Sequence, residues 1–161
     1  PNMPFDAPVI SKKDEVLDIL TKIKTIIEER RNDEEIPQNH IYIGIYGFQL
    51  GRMFDVVFND RGRESVSQCS ETLDYILKNG PIVGVFTILQ CDNLSNLKKT
   101  SNDISGFNYR VALQMSEADS NKIVDSSIAS KLFVFNRPSS VYRAYYRDNS
   151  RNINTKFKPY K

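Results

Sequence analysis

The stretch Ile41-Tyr-Ile-Gly-Ile-Tyr46 decides how this chain folds, because it is a short and nearly continuous run of β-branched and aromatic residues. Such runs are typical of strands that are buried on both faces. Strands of this kind build parallel sheets, whose faces are covered by helices. The stretch therefore predicts one strand of a parallel α/β sheet.

A helix and a second strand are predicted on the C-terminal side of this stretch. Apolar residues recur at helical spacing from Val66 to Leu77, and Asn79-Gly80-Pro81 ends the helix with a C-cap glycine and a proline. A second buried strand follows, from about Ile82 to Gln90. The order strand, helix, strand favours a parallel pair joined by a right-handed crossover.

An amphipathic helix is predicted on the N-terminal side. Ser11-Lys-Lys-Asp14 has the Ser-x-x-Asp form of a helix start, and apolar residues then recur at helical spacing up to Ile27. The helix is expected to end near Arg31, in a charged run that is solvated. Pro37 stops any continuation.

The second half of the chain predicts smaller elements, of which the last two strands flank a turn-like triplet and would form an antiparallel edge. The predicted elements are a short helix around Leu94 to Lys99, a strand from Tyr109 to Met115, a helix opened by Ser116 to Ser120, and strands from Val141 to Tyr146 and from Ile153 to Phe157.

Length and composition predict one globular domain. The chain has 161 residues, of which 40% are hydrophobic, and its formal net charge of +2 is too small to indicate a polyanionic partner. Any nucleic-acid contact must therefore come from a local patch. No apolar run approaches the roughly 18 residues that span a bilayer, and the first residues do not form a signal peptide. The sequence thus predicts a soluble, cytoplasmic protein without a membrane segment.

The two cysteines, Cys69 and Cys91, lie in apolar surroundings and have no partner at metal-ligand spacing. They are expected to be buried free thiols of a reducing compartment, with a disulfide as the alternative. The single histidine, His40, directly precedes a strand and has no second histidine to complete a metal site. The tyrosines, which include Tyr42 and Tyr146, suit either base stacking or packing on strands, and strand packing is favoured.

Several short motifs follow one another along the chain in a fixed order. They are Gly84-Val-Phe-Thr-Ile-Leu-Gln-Cys-Asp92, Tyr109-Arg-Val-Ala-Leu-Gln114, Ala118-Asp-Ser120 with Ile123-Val-Asp125, Ala129-Ser-Lys-Leu132, Arg143-Ala-Tyr-Tyr146 and Phe157-Lys-Pro-Tyr160. In this order, from about Asp14 to Tyr160, the chain resembles the C-terminal part of the ATPase domain of the FtsK/SpoIIIE DNA translocases, within the HerA/FtsK class of P-loop proteins. The resemblance implies a partial RecA-like fold of three α/β/α layers, with a mostly parallel sheet and a C-terminal antiparallel edge.

The chain departs from this family's pattern at two places. The Gly-x-x-x-x-Gly-Lys-[Ser/Thr] loop that holds phosphates is absent, and Gly47-Phe-Gln49 follows the strand in the Walker B place, where the family has an Asp-Glu pair. ATP and Mg²⁺ are therefore expected as cofactors of a longer parent protein, and none is expected for this chain alone. Gln49 either orients the attacking water, as glutamines do in some NTPases, or belongs to a degenerate site.

The resemblance implies roles for four further residues. Asp92 matches the catalytic polar residue at the end of a strand, and its alternative role is to cap the helix that begins near Leu94. Arg110, Asp119 and Arg143 match a nucleotide or subunit interface. For Arg110, an ion pair with Asp119 or Asp125 is the alternative.

Three arginines, Arg52, Arg61 and Arg63, lie in the polar loop after the Walker B-like strand, a region that in this family faces duplex DNA. Arginines on a loop suit sequence-independent phosphate contacts, and a solvated surface loop is the alternative.

Two hypotheses follow for the whole chain. It is either part of a homo-hexameric DNA translocase and inactive alone, or a non-enzymatic α/β interaction module derived from such an ATPase.

Overall fold

The computed structural model describes residues 8–33, 35, 39–55, 57–58, 61–62, 64–92, 94, 104–132 and 143–159. The chain divides into two compact units, the N-terminal unit of Pro1–Asp92 with Asn96–Asn102 and the C-terminal unit of Asn93–Ser95 with Asp103–Lys161. The prediction of a single domain stays a prediction, and the predicted mixed α/β class is confirmed. The elements are α1 (Lys13–Asn32), β1 (Ile41–Ile45), β2 (Val57–Phe58), β3 (Glu64–Ser65), α2 (Gln68–Asn79), β4 (Val85–Leu89), β5 (Tyr109–Ala112), α3 (Glu117–Val124), β6 (Ala144–Asp148) and β7 (Ile153–Phe157).

Helix α1 opens the N-terminal unit and contributes Leu20 and Ile27 to its core, as the spacing of its apolar residues predicts. The residue at its N-cap is Lys12, whose side chain makes no capping hydrogen bond, so the predicted cap at Ser11 is wrong. Neither α1 nor any other helix in the described part of the chain is long and apolar enough to span a bilayer.

Strands β1 and β4 form the predicted parallel pair, with Ile41 opposite Val85 and Ile45 opposite Leu89. The isoleucines of β1 point to a core that α1 and α2 complete. Helix α2 begins where the Ser67 hydroxyl accepts a hydrogen bond from the backbone N–H of Ser70, and it ends before Gly80 as predicted.

The other face of this parallel pair, formed by Tyr42, Gly44, Tyr46, Phe86 and Ile88 and called the open face below, is exposed. Tyr42, Tyr46 and Ile88 are 65%, 88% and 63% exposed, and no atom lies within 4 Å of where a Cβ on Gly44 would stand. The prediction that Ile41–Tyr46 is buried on both faces is therefore wrong for the described residues, because α1 and α2 cover only the isoleucine face.

The segment after β1, predicted as a polar loop, contains regular structure. Two 3₁₀ turns, Phe48–Leu50 and Arg52–Phe54, precede a two-residue antiparallel hairpin of β2 and β3. Phe48 and Phe54 enter the core with ring centroids 4.9 Å apart, so apolar packing holds this segment against the unit.

The C-terminal unit is a three-stranded antiparallel sheet in the order β5, β6, β7, with α3 on one face. Its core contains Ala112, Val124 and Ala129. The last strand matches its predicted bounds, and the antiparallel edge is confirmed as a pairing of β6 with β7. The expectation of a mostly parallel sheet is wrong for the described strands, because three of their four pairings are antiparallel.

Candidate functional site

Gln90 joins the carboxyl ends of β1 and β4. Its backbone N–H donates to the carbonyl oxygen of Ile45 at 2.9 Å, and its carbonyl oxygen accepts from the N–H of Phe48 at 3.0 Å. Its side-chain Oε1 accepts from the N–H of Gly47 at 2.8 Å. One residue therefore fixes the chain as it leaves both strands, at the edge where open α/β sheets bind ligands. Sequence analysis missed this role, whose signal is the polar residue directly after the apolar run Val85–Leu89.

Gln49 lies on the 3₁₀ turn that Gln90 holds in place. Gly47 begins this turn with φ of 65°, in the left-handed region that favours glycine, and Phe48 anchors it at 1% exposure. Gln49 itself is half-buried, and its side-chain oxygen is shielded from solvent. The position of Gln49 is thus set by the hydrogen bond of Gly47 and the packing of Phe48, which suits a residue that orients a polar group of a ligand.

Asp92 is exposed and lies three positions beyond Leu89, the last residue of β4. The polar residue directly at the strand end is therefore Gln90. The structure does place Gln49 and Asp92 beyond the ends of adjacent strands, as predicted for a strand-edge site. The predicted helix that Asp92 would cap lies outside the described residues, except for Leu94.

The residues that follow β1, in the Walker B place, lack the side chains that hold magnesium and phosphate. Gly47, Phe48 and Gln49 offer no carboxylate and no lysine, and Phe48 is used for core packing. In the part of the chain that the structure describes, no group of three or more His, Cys, Asp and Glu side chains is placed to hold a metal ion.

The arginines predicted to bind DNA occupy two local settings. Arg52 is exposed on a 3₁₀ turn that is tied to the start of α2, because Ser67 Oγ donates to the carbonyl of Met53 at 2.7 Å and Ser70 Oγ donates to that of Phe54 at 2.9 Å. Arg61 is exposed in the connection between β2 and β3, and Arg63 lies outside the described residues. Arg52 is therefore held by a defined turn, whereas Arg61 projects from a hairpin.

Arg110 connects β5 to the end of α3. Its Nε donates to the carbonyl of Phe107 at 2.9 Å, and its guanidinium also donates to the carbonyls of Lys122 at 3.4 Å and Ile123 at 3.3 Å. The carbonyls of Lys122 and Ile123 belong to the last turn of α3, where a cation is favoured by the helix dipole. The hydrogen bonds give Arg110 a structural role within the unit.

Asp119 and Ser120, which resemble the family's acidic-serine motif, lie in the first half of α3. The N–H of Asp119 donates to the hydroxyl of the N-cap Ser116 at 3.1 Å, as the predicted helix start requires. Ser120 is fully buried, and its hydroxyl donates to the carbonyl of Ser126 and accepts from the N–H of Ala129 at 3.0 Å. The serine therefore connects α3 to the 3₁₀ turn that follows it.

Arg143 is exposed immediately before β6. It is accessible to a partner, as an interface residue must be. Arg110, Asp119 and Arg143 all belong to the C-terminal unit, whereas Gln49 and Asp92 belong to the N-terminal unit.

Arg147 is a buried charge that sequence analysis missed. Its guanidinium donates to Asp125 Oδ2 at 2.7 Å, to Asn152 Oδ1 at 2.8 Å and to Asn149 Oδ1 at 3.0 Å. Asp125 and Asn152 both have left-handed backbones, with φ of 54° and 55°. Arg147 thus holds the end of α3 and the turn between β6 and β7 together.

Two side chains have raised pKa values, and neither is activated as a nucleophile. Burial raises the pKa of the Cys69 thiol, and the charge of Lys13 only partly opposes this. Desolvation raises the pKa of the Tyr146 hydroxyl, and the carboxylate of Asp148 adds to the shift. Both groups are therefore protonated at neutral pH, which argues against thiolate or phenolate chemistry. Cys69 and Cys91 form no disulfide, as predicted, although Cys91 is only half-buried.

Comparison with known proteins found no family model, no curated protein and no solved structure that matches this chain.

Proposed function

We propose that this chain is the C-terminal part of an FtsK/SpoIIIE-like ATPase domain, in which β1 and β4 belong to a larger RecA-like sheet. The observation that carries the proposal is the open face. Parallel sheets are normally covered on both faces, and sheets of two strands are marginal alone, yet Tyr42, Tyr46 and Ile88 are at least 63% exposed. Further strands and a helix layer would cover this apolar surface.

The relation between β1 and β4 supports the same proposal. Strand β1, in the Walker B place, lies beside β4 in parallel register, with β2, β3 and α2 between them along the chain. Gln90 directly follows β4, whereas Gln49 and Asp92 lie four and three positions beyond the ends of β1 and β4, at the edge where α/β sheets bind nucleotides. Within the longer protein, a P-loop outside this chain would hold the phosphates of ATP with Mg²⁺, and Gln49 would orient the attacking water.

The proposal includes two interfaces. Arg52, Arg61 and Arg63 contact the phosphates of duplex DNA, and Arg143 with its exposed guanidinium reaches the nucleotide or the adjacent subunit of a homo-hexamer. Arg110 and Asp119 support this second interface from β5 and α3, through the hydrogen bonds that order those elements.

Measured ATP hydrolysis tests the enzymatic part of the proposal. The isolated chain should release no phosphate from ATP, whereas a longer protein that extends it through a P-loop should hydrolyse ATP faster when duplex DNA is added. A longer protein without DNA-stimulated hydrolysis would overturn the proposal.

Gln49→Ala in that protein should lower kcat with little change in KM, because orientation of water acts in the chemical step.

Salt-dependent binding tests the arginine interface. Each phosphate contact that is lost lowers the slope of log K against log[salt] by about 0.9 for duplex DNA. Replacing Arg52, Arg61 and Arg63 with alanine in the longer protein should therefore weaken DNA binding at low salt and flatten the slope by about 2 to 3. The exposed helix residue Lys22 offers a control, and Lys22→Ala should leave the slope unchanged. An unchanged slope in the triple variant would assign the arginines to the solvated surface.

One observation favours a second candidate function, that of a non-enzymatic interaction module. Phe48, in the place of the family's metal-binding carboxylates, is 1% exposed and packs on Phe54. A position used for packing is what an ATPase-derived scaffold would retain. This candidate predicts that the longer protein binds a protein partner through the open face and hydrolyses no ATP, so the hydrolysis assay separates the two functions.

A further inference from the structure

One face of the C-terminal sheet carries a pair of stacked tyrosines, of which Tyr109 is exposed and Tyr146 is half-buried. Tyr109 and Tyr146 lie diagonally across β5 and β6, with ring centroids 6.2 Å apart and an angle of 15° between their planes. Tyr109 is 66% exposed. Val111 and Ile153 lie on the same face and are 57% and 44% exposed. These four residues are called the tyrosine platform below.

The opposite face of the same sheet is covered within the unit. Ala112 is fully buried against Val124 and Ala129, and Arg147 is engaged by Asp125. Alternation along a strand sends successive side chains to opposite faces, so the residues of the platform point away from this core.

The C-terminal unit is also the basic part of the chain. It contains ten basic and five acidic residues, a formal charge of +5, whereas the N-terminal unit contains twelve basic and fifteen acidic residues, a charge of −3; the two add to the net +2 of the chain. The segment from Arg143 to Pro159 carries five basic residues and one acidic residue, Asp148. Arg151 has a side chain that is 78% exposed, and its Nε lies 3.9 Å from Oδ2 of Asp148.

We propose that the tyrosine platform binds single-stranded DNA, with bases stacked on Tyr109 and Tyr146 and phosphates contacted by Arg151 and neighbouring basic side chains. Exposed aromatic rings beside cations are the two features that bind single strands without sequence readout. Duplex DNA keeps its base faces stacked inside the helix, so it cannot use the tyrosines. Val111 and Ile153 provide apolar contacts for the methyl group of thymine, which uracil lacks. The proposal does not rest on ATP hydrolysis or on a longer protein.

Fluorescence anisotropy with the whole chain and a fluorescein-labelled ten-residue oligothymidine tests this proposal. Tyr109→Leu should weaken binding about 5- to 150-fold, because stacking on one aromatic side chain contributes that much, and Tyr109→Phe should bind within about 2-fold of the unmodified chain. Arg151→Ala should lower the slope of log K against log[salt] by about 0.7. Oligouridine RNA of equal length should bind more weakly, by about 4-fold for each thymine methyl contact that is lost.

Tyr42→Leu is the matched control, because Tyr42 is 65% exposed and stacked on Phe86 in the acidic N-terminal unit. It should leave the affinity unchanged. The proposal is overturned if the chain does not bind the oligothymidine at about 50 mM salt, a low salt concentration at which phosphate contacts are strong. It is also overturned if Tyr109→Leu binds as tightly as the unmodified chain, if Tyr42→Leu weakens binding equally, if Tyr109→Leu weakens binding of duplex DNA as much as binding of oligothymidine, or if oligouridine binds as tightly as oligothymidine. Circular dichroism of each variant verifies that the fold is retained.

Discussion

Arg147→Met should destabilise the C-terminal unit by about 2 to 3 kcal/mol. Arg147 is 8% exposed and donates to the side-chain oxygens of Asn149, Asn152 and Asp125. Hydrogen bonds that involve a charged group contribute about 1.5 to 3 kcal/mol each when buried. Asp125 and Asn152 are exposed and can be hydrated after the change, so together they add only about 1 kcal/mol or less to the bond with Asn149, and removing the buried charge recovers part of its desolvation cost. Methionine preserves the buried stem, so the loss comes from the hydrogen bonds and not from a cavity.

Urea unfolding followed by circular dichroism, together with amide hydrogen exchange of α3 and β6, measures this loss. Two other arginines serve as controls. Arg151→Met removes a side chain that is 78% exposed and lies 3.9 Å from Asp148, so it should cost less than about 0.5 kcal/mol.

Arg30 is as buried as Arg147, at 7% exposure, yet among the described residues its only hydrogen bond goes to the carbonyl of Val83, and its Nε has no partner there. Arg30→Met should therefore change the free energy of unfolding by less than about 1 kcal/mol in either direction, because the desolvation cost of the charge is removed with the bond. The contrary result is that Arg147→Met lowers the free energy of unfolding no more than Arg30→Met or Arg151→Met does. That result would show that the buried hydrogen bonds of Arg147 do not stabilise the C-terminal unit.

Two further predictions concern the N-terminal unit. Ser67→Ala should destabilise it by about 1 kcal/mol in urea unfolding, because it removes the N-cap of α2 and the bond to Met53, and a loss of less than about 0.3 kcal/mol would mean that water replaces the cap. In the folded chain, a thiol reagent should modify Cys91 before Cys69, since Cys69 is 2% exposed and its pKa is raised by burial. The stability contributed by the neutral Cys69 thiol is present below the ordinary thiol pKa and is lost as the pH rises through the raised folded-state pKa. Equal labelling rates of Cys69 and Cys91 at about pH 8, near the ordinary thiol pKa, would contradict the buried setting of Cys69. So would an unmodified chain that loses no more stability at alkaline pH than the Cys69→Ala variant does.

Local elements could be predicted from the sequence because their causes are local. The strand Ile153–Phe157 matches its predicted bounds, and α2 ends at the glycine that the sequence indicates. Periodicity and capping residues act within a few positions, so one sequence contains them.

The pairing of strands could not be predicted in the same way. The run from Tyr109 suits a strand but does not specify a partner, and β5 pairs with β6 over an intervening helix. The same limit applies to exposure. Tyr42 and Ile43 are neighbours in one run of strand-forming residues, yet only Ile43 packs against the core that α1 and α2 complete. Which face is covered depends on elements elsewhere in the fold.

The candidate site contains residues whose positions were predicted and residues whose roles were missed. Gln49 and Asp92 lie beyond adjacent strand ends as expected, because parallel strands bring their carboxyl ends to one edge. Gln90 and Arg147 were missed because their roles come from partners that are distant in sequence, such as Gly47 for Gln90 and Asp125 for Arg147. A polar residue in an apolar run indicates that a partner exists without identifying it.

Gly44→Val tests most directly whether the open face is covered in an ATPase. In the isolated chain the new side chain meets open space, and valine suits a strand better than glycine, so stability should rise by about 0.5 to 1 kcal/mol. The deciding measurement is the rate of ATP hydrolysis, with duplex DNA, by the longer protein carrying this change. We expect a rate about 5- to 150-fold below that of the unmodified longer protein, because overpacking of about 1 to 3 kcal/mol displaces the covering layer from the strand ends. An unchanged rate would contradict it.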